Sequence, residues 1–224
     1  MKKKFIFLLF SLIVLIVISG CGLSNRKSQT LDILQNQVCA PPCWQGITPG
    51  TTTFDEAWTI AQNLMMSENS FHNQLPISVD DGKFNDYISI NYKYMGIGLN
   101  PDSQGTINEI LFLFDRRYWV KPELQDLIEI YGNPISVEMC HESIGSRRAI
   151  VWIRYPDVSF SYDQKLPAEG DSFTVHVKMD TEIEYILYKL PGAEFPALDF
   201  SFPWSGYGDL TIRPAEKNPL STCP

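Results

Sequence analysis

Tyr131-Gly132-Asn133-Pro134-Ile135-Ser136-Val137-Glu138 decides the fold, because a helix must end and a strand must begin inside it. Gly132 and Pro134 are helix terminators. Leu124, Leu127, Ile128 and Tyr131 precede them at helical spacing, behind a Pro122 placed at the helix start. The same Pro-Ile-Ser-Val-acid run occurs earlier, as Pro76-Ile77-Ser78-Val79-Asp80. A second echo pairs Thr106-Ile107-Asn108-Glu109-Ile110-Leu111-Phe112 with Thr181-Glu182-Ile183-Glu184-Tyr185-Ile186-Leu187. The shared order is helix, Pro-Ile-Ser-Val strand, meander, Thr-initiated strand. It predicts an α+β chain of two tandem units, residues 39–118 and 119–190, each packing one helix on an antiparallel sheet.

The first unit opens at Cys39-Ala40-Pro41-Pro42-Cys43. Thr48-Pro49-Gly50-Thr51 then places Pro and Gly at the two central positions of a type II turn. Thr53 with Glu56 forms a capping box, and Phe54, Ala57, Trp58, Ala61, Leu64 and Met65 follow at helical spacing. Tyr87–Tyr94 alternates as a strand, Asn100–Gly105 is a turn cluster, and Thr106–Phe114 is a buried strand. In the second unit, Ala149–Tyr155 and Val158–Tyr162 form a hairpin about Pro156-Asp157, and Phe173–Met179 is a further strand.

At 44% hydrophobic and 12% aromatic residues, the 224-residue chain is globular. Eighteen basic side chains, less Lys2, Lys3 and Lys4 of the leader, leave 15 against 26 acidic ones, a charge of −11. That sign repels nucleic acid backbones and argues against a nucleic-acid partner. The three histidines, His72, His141 and His176, have no motif-level nucleophile or carboxylate partner, and hydrolase, zincin and phosphate-loop motifs are lacking. Asp80, Asp81, Asn85 and Asp86 form an oxygen-rich loop without EF-hand spacing. Glu182 and Glu184 fall on one strand face, the pattern of a wet side. No catalytic residue, cofactor or metal is expected.

Met1–Lys4 is a basic head, and Phe5–Ile18 is an apolar run of fourteen residues, shorter than the roughly 20 a membrane span needs. It ends Ile18-Ser19-Gly20-Cys21, which resembles the lipobox of bacterial lipoproteins. The resemblance implies cleavage after Gly20, a signal peptide over 1–20, and a diacylglyceryl group with further acylation such as palmitate on Cys21. The protein would then be held on the extracytoplasmic face of a cell membrane, since two or more acyl chains anchor stably where one does not. Residues 21–38 read as a flexible lipid-anchored tether.

Outside the cytoplasm, Cys39, Cys43, Cys140 and Cys223 are expected to form two disulfides. Ala40 and Pro41 each precede a proline and are pushed to extended conformations. At about 3.1 Å per residue, such a spacer holds Cys39 and Cys43 apart. The expectation is therefore that these two pair with Cys140 and Cys223, in either order. A Cys₃His zinc site from Cys39, Cys43, Cys140 and His141 is the competing use of the same thiols.

Gly46-Ile47-Thr48 before a helix, and Tyr131-Gly132-Asn133-Pro134 after one, resemble the two ends of the unit found in SmpA/OmlA-type envelope lipoproteins and β-lactamase-inhibitor-protein repeats. Here the first unit lacks the closing Gly-x-Pro and the second lacks the opening Gly-Met-Thr. The resemblance implies a non-catalytic protein-binding module of the cell envelope.

Residues 191–224 hold six of the fifteen prolines together with Phe195, Phe200, Phe202, Trp204 and Tyr207. This reads as an extended C-terminal strap packed over the sheet, with Phe202, Trp204 and Tyr207 as candidate binding residues. The expected function is a lipid-anchored scaffold or protein-binding module with an unidentified envelope protein as partner. The alternative is a lipoprotein that holds a solute or cell-wall glycan on exposed aromatics.

Overall fold

The computed structural model describes residues 31, 34–35, 38–68, 78–79, 88–92, 95–114, 121–141, 148–166, 173–193, 195, 198 and 200–212. The leader, Cys21, the Asp80–Asp86 loop, His72 and Cys223 lie outside them. Helix α1 spans Phe54–Glu68 and helix α2 spans Leu124–Tyr131. The strands are β1 Ser78–Val79, β2 Ile88–Tyr92, β3 Met95–Pro101, β4 Ile107–Leu113, β5 Ser136–His141, β6 Arg148–Arg154, β7 Val158–Lys165, β8 Phe173–Val177, β9 Tyr185–Lys189, β10 Phe200–Pro203 and β11 Gly208–Ile212.

The entry to α1 forms by local chemistry. Trp44 and Ile47 exchange backbone hydrogen bonds of 2.9 and 2.8 Å around Gln45 and Gly46, both at positive φ, a two-residue hairpin turn. Gly50 has φ 81°, and the Thr51 N–H donates to the Thr48 carbonyl at 3.2 Å, the expected type II turn. The capping box closes as predicted: the Thr53 N–H donates to Glu56 Oε2 at 2.9 Å, and the Glu56 N–H donates to Thr53 Oγ1 at 3.3 Å. The Thr53 N–H, and the Thr53 hydroxyl that donates to the same oxygen at 2.9 Å, hold the Glu56 carboxyl below its ordinary range. Helix α2 begins the same way, with Glu123 and Asp126 in a capping box, and it ends at Gly132 with φ 79°.

The architecture is α+β with two antiparallel sheets. Nine strands form one sheet in the order β1-β2-β3-β4-β9-β7-β6-β5-β10, and β8 pairs with β11 in a two-stranded sheet. The strands expected in separate units are therefore continuous through β4 and β9, where Leu111 faces Leu187. Each helix start is tied to the strand that follows in its own half. Thr53 bridges Thr106, and Glu123 bridges Glu182.

Burial alternates along the central strands. Ile110, Phe112 and Phe114, with Ile186 and Tyr188, are buried toward the helices. There Trp44 meets Phe112 edge-on at 6.0 Å, and Tyr131 of α2 packs on Phe160 at 5.2 Å. One hydrophobic cluster runs from Ala57 and Ile97 to Leu127 and Ile153, so both helices share a core. The other face carries Glu109, Leu111, Leu113, Tyr185, Leu187 and Lys189. Beyond β9 the chain crosses part of that face, placing the Phe195 ring 4.4 Å from the Arg154 guanidinium and 5.0 Å from the Lys189 ammonium.

Five expectations are corrected. Cys39 and Cys43 are bonded to each other, with Cα atoms 5.7 Å apart. The Pro41–Pro42 peptide is cis and the Cys43 N–H donates to the Ala40 carbonyl at 3.1 Å, so the chain reverses where an extended spacer was expected. Cys140 is disulfide-bonded as well, which removes the thiols a Cys₃His zinc site would need. Leu34, assigned to the tether, is 1% exposed and belongs to the core. Residues Met95–Pro101 form a separate strand, where the sequence alternation predicts only Tyr87–Tyr94. The tail contributes β10 to the edge of the main sheet and β11 to the small one, so it is more regular than a strap.

Candidate binding surface

β10 pairs with β5 so that Phe202 stands opposite Val137 and Phe200 opposite Met139. Both phenylalanines pack against the core, so Phe202 serves the sheet. Past Pro203 the chain leaves the sheet edge. The Trp204 N–H donates to the Ile135 carbonyl at 2.9 Å, and Gly206 takes φ 95°, a left-handed conformation that suits glycine. This turn brings Tyr207 back onto Trp204 edge-to-face, with ring centroids 5.8 Å apart. β11 then starts at Gly208. Trp204 is half-buried, and Tyr207 is 40% exposed.

The ledge lies beside α2. Burial raises the Tyr207 phenol pKa, and the carboxylates of Glu129 and Asp126 raise it further. Tyr155, whose pKa is raised by burial and then by Tyr207, fills the space beneath and donates its hydroxyl to the Gly132 carbonyl at 2.7 Å. Ile135 is 58% exposed. Met179, whose carbonyl accepts from the Gln125 N–H at the helix start, is 53% exposed. These two exposed apolar side chains lie at opposite ends of α2, Met179 at its start and Ile135 beyond its last turn.

The charged side chains elsewhere serve structure. The Arg154 Nε donates to Glu138 Oε2 at 3.0 Å, and its guanidinium lies between Trp152 at 4.8 Å and Phe195 at 4.4 Å. Desolvation lowers the Arg154 pKa and Glu138 opposes that shift. Lys121 sits between Glu184 at 2.8 Å and Glu182 at 3.7 Å. Glu184 is buried, so the two acids do not form a wet face. His176, exposed as its strand position predicted, pairs with Asp209 at 2.8 Å. Among the described residues no group of three or more His, Cys, Asp or Glu side chains is arranged to hold a metal. A groove of 460 Å³ lies between Leu34, Val38, Pro41 and Ile130, and among the described residues no titratable side chain lines it.

Of the three aromatics named from sequence, the structure packs Phe202 and Trp204 against the core and brings Tyr207 onto Trp204. Ile135 meets Trp204 only through the pairing of β10 with β5, and nothing local in the sequence points to it. Comparison of the chain with family models, curated proteins and solved structures returns no match.

Proposed function

We propose that this chain is a non-catalytic, lipid-anchored module of the cell envelope that binds another protein through the Trp204–Tyr207 ledge. The observation that carries the reading is the Trp204–Tyr207 ring pair, held by the Trp204 bond to the Ile135 carbonyl just past the end of α2, with Tyr207 exposed and the opposite face of the helix committed to the core. The leader motif ending at Cys21 supports the location: a diacylglyceryl-cysteine there holds the domain at the extracytoplasmic membrane surface. With Leu34 docked in the core, the free tether is shorter than residues 21–38. The ten residues from Cys21 to Leu31 reach at most about 36 Å, which keeps the ledge close to the membrane.

The domain itself reads as two tandem units. The strand order β1-β2-β3-β4 on one side of the sheet centre is mirrored by β5-β6-β7-β9 on the other. An offset of 76 residues relates Thr106 to Glu182, Ile107 to Ile183 and Leu111 to Leu187, one residue more than the Thr106/Thr181 echo in the sequence. With that offset the β4–β9 register maps onto itself, as a two-fold axis through Leu111 and Leu187 requires. The backbone bonds at the two helix starts repeat as well. The Ile107 N–H donates to the Thr52 carbonyl at 2.9 Å, and the Ile183 N–H donates to the Pro122 carbonyl at 2.9 Å. Such a duplication supports the resemblance to tandem envelope-lipoprotein repeats.

The test is photo-crosslinking in cells from a benzophenone residue at position 207, against the same probe at exposed Asp55 on α1. One protein enriched only from position 207 is the expected result, with loss of membrane retention in Cys21→Ser. Equal recovery from both positions would sink the binding reading, and a Cys21→Ser chain that stays on the membrane would sink the anchor.

A further inference from the structure

β8 and β11 form a two-stranded sheet, and its two outer edges differ. The edge of β8 is closed by side chains of β7. The His176 N–H donates to Gln164 Oε1 at 3.0 Å, and the Tyr162 hydroxyl donates to the His176 carbonyl at 3.0 Å. Gln164 Nε2 donates to the Thr174 carbonyl at 2.7 Å. Thr174 and His176 therefore turn their backbone groups away from β11, which makes Val175 and Leu210 a hydrogen-bonded pair of the ladder. Opposite Thr174 and His176 stand Thr211 and Asp209. In such alternate pairs the backbone groups of both residues point out of the ladder. The N–H and C=O of Asp209 and Thr211 thus line the free side of β11, where among the described residues no backbone bond reaches them. Gly208, Asp209 and Thr211 are exposed, while Leu210, on the other face, packs against the core.

An open strand edge is a template for a further strand, and proteins blunt the edges they do not use. Both edges of the main sheet are blunted. β1 is two residues long, and β10 closes on Pro203, which has no N–H to offer. β11 has neither protection, and its one charged side chain, Asp209, is engaged by His176 at 2.8 Å. The strand starts at Gly208, directly after Tyr207, so the open edge continues the Trp204–Tyr207 ledge. We propose that the partner protein adds a strand to β11, an extended segment whose own backbone bonds to Asp209 and Thr211 as it runs on from Tyr207. This assignment rests on the protein-binding reading and adds the mode of recognition to it. Main-chain bonds supply the affinity, so the segment is defined by its conformation: unpaired, extended, and without proline at the residues that face β11. A second copy of the chain suits the edge less well, because two mature chains of charge −11 repel each other.

Amide exchange of the full chain in a neutral detergent reads the edge residue by residue. In the free chain the Leu210 amide should exchange slowly and those of Asp209 and Thr211 fast; slow exchange at the latter two would mean that their N–H groups are already bonded, and would overturn the proposal. The probe is the uncharged strand-forming peptide acetyl-Thr-Val-Thr-Val-Thr-amide in excess. It should slow Asp209 and Thr211 and leave Leu210 as it was. No slowing at these two amides, or equal slowing at all three, would also overturn the proposal. Thr211→Pro removes one outward N–H without touching the bonds to β8, and should weaken the peptide about fivefold, the effect of one net hydrogen bond. Its Leu210 amide should stay slow; if it does not, Asp209→Pro, which removes the other outward N–H, takes its place. Crosslinking in cells from position 207 separates this failure from failure of the broader reading. A protein trapped equally with and without Thr211→Pro overturns strand addition and leaves a binding module standing. Trapping that Thr211→Pro reduces supports both, and no trapping from either chain overturns both. Trapping of a second copy alone overturns the assignment to a partner.

Discussion

Lys121 Nζ lies 2.8 Å from Glu184 Oε1 where the start of α2 meets the strand leading into β9, and both side chains are nearly buried. Removing one member of such a pair leaves the other charge desolvated without compensation, which costs more than the pair contributes. Lys121→Met should destabilise the chain by about 3 kcal/mol in urea unfolding, and adding Glu184→Gln should recover much of it. A double variant no more stable than Lys121→Met would show that Glu184 is held by something other than the lysine.

Gly50 carries φ 81°, and a Cβ built there would stand 1.9 Å from the Leu190 Cδ1. Leu190 is 41% exposed, so its end can swing aside. The lasting cost of Gly50→Ala is the left-handed backbone, about 1 to 2 kcal/mol. Gly50→Asn should cost less, since asparagine tolerates that region better. If both substitutions are neutral by denaturant midpoint, the turn before α1 is not the one described.

The elements legible in the sequence are those that local chemistry specifies. Thr48-Pro49-Gly50-Thr51 and the Thr53/Glu56 capping box fix the start of α1, and Gly132 fixes the end of α2, whatever the rest of the chain does. β3 is different. Gly96 and Gly98 remove strand propensity, and only Ile97 opposite Phe112 and Leu99 opposite Ile110 make it a strand, through partners far along the chain. The continuity of the sheet at Leu111–Leu187 is likewise a long-range pairing. In the tail the prolines argued against regular structure, yet Pro203 closes an edge strand, where a missing N–H is tolerated. The ledge was half legible for the same reason: Trp204 and Tyr207 announce themselves by type, while Ile135 meets Trp204 only through tertiary packing.

Buried Tyr155 and Tyr162, with half-buried Tyr131, set an alkaline limit on stability. Burial raises the pKa of Tyr155 and Tyr162, and burial followed by Tyr188, whose hydroxyl is hydrogen-bonded to its own, raises that of Tyr131. A folded-state pKa above the unfolded value of about 10 stabilises fully below that pH, and the stabilisation is lost as pH rises through the folded value. Absorbance titration should show these three tyrosines ionising only as the fold is lost. Tyr162→Phe forfeits the 3.0 Å bond to the His176 carbonyl, about 1 kcal/mol at neutral pH, but should lose less stability than wild type between about pH 9 and 11. Ionisation of all ten tyrosines in one step with native circular dichroism would contradict this.

The disulfides are expected to contribute unequally. Cys39–Cys43 closes a loop of five residues, for which the chain-entropy estimate is about 2 kcal/mol. Cys140 is bonded too, and with Cys21 expected to carry lipid, Cys223 is the remaining cysteine. A bridge over that separation has a ceiling between about 4 and 5 kcal/mol. Non-reducing peptide mapping should therefore recover one short peptide with both Cys39 and Cys43, and a second joining Cys140 to Cys223. Cys223→Ser should lower the thermal midpoint more than the Cys39→Ser/Cys43→Ser pair does. The local bridge still has a specific task, since it lies between two anchors in the core, Leu34 before it and Trp44 after it. Its loss should loosen the entry to α1, read as faster amide exchange at Trp44 and Ile47, while exchange in β4 and β9 stays slow. A variant that unfolds β4 and β9 together with that entry would show that the short loop is not a separable unit.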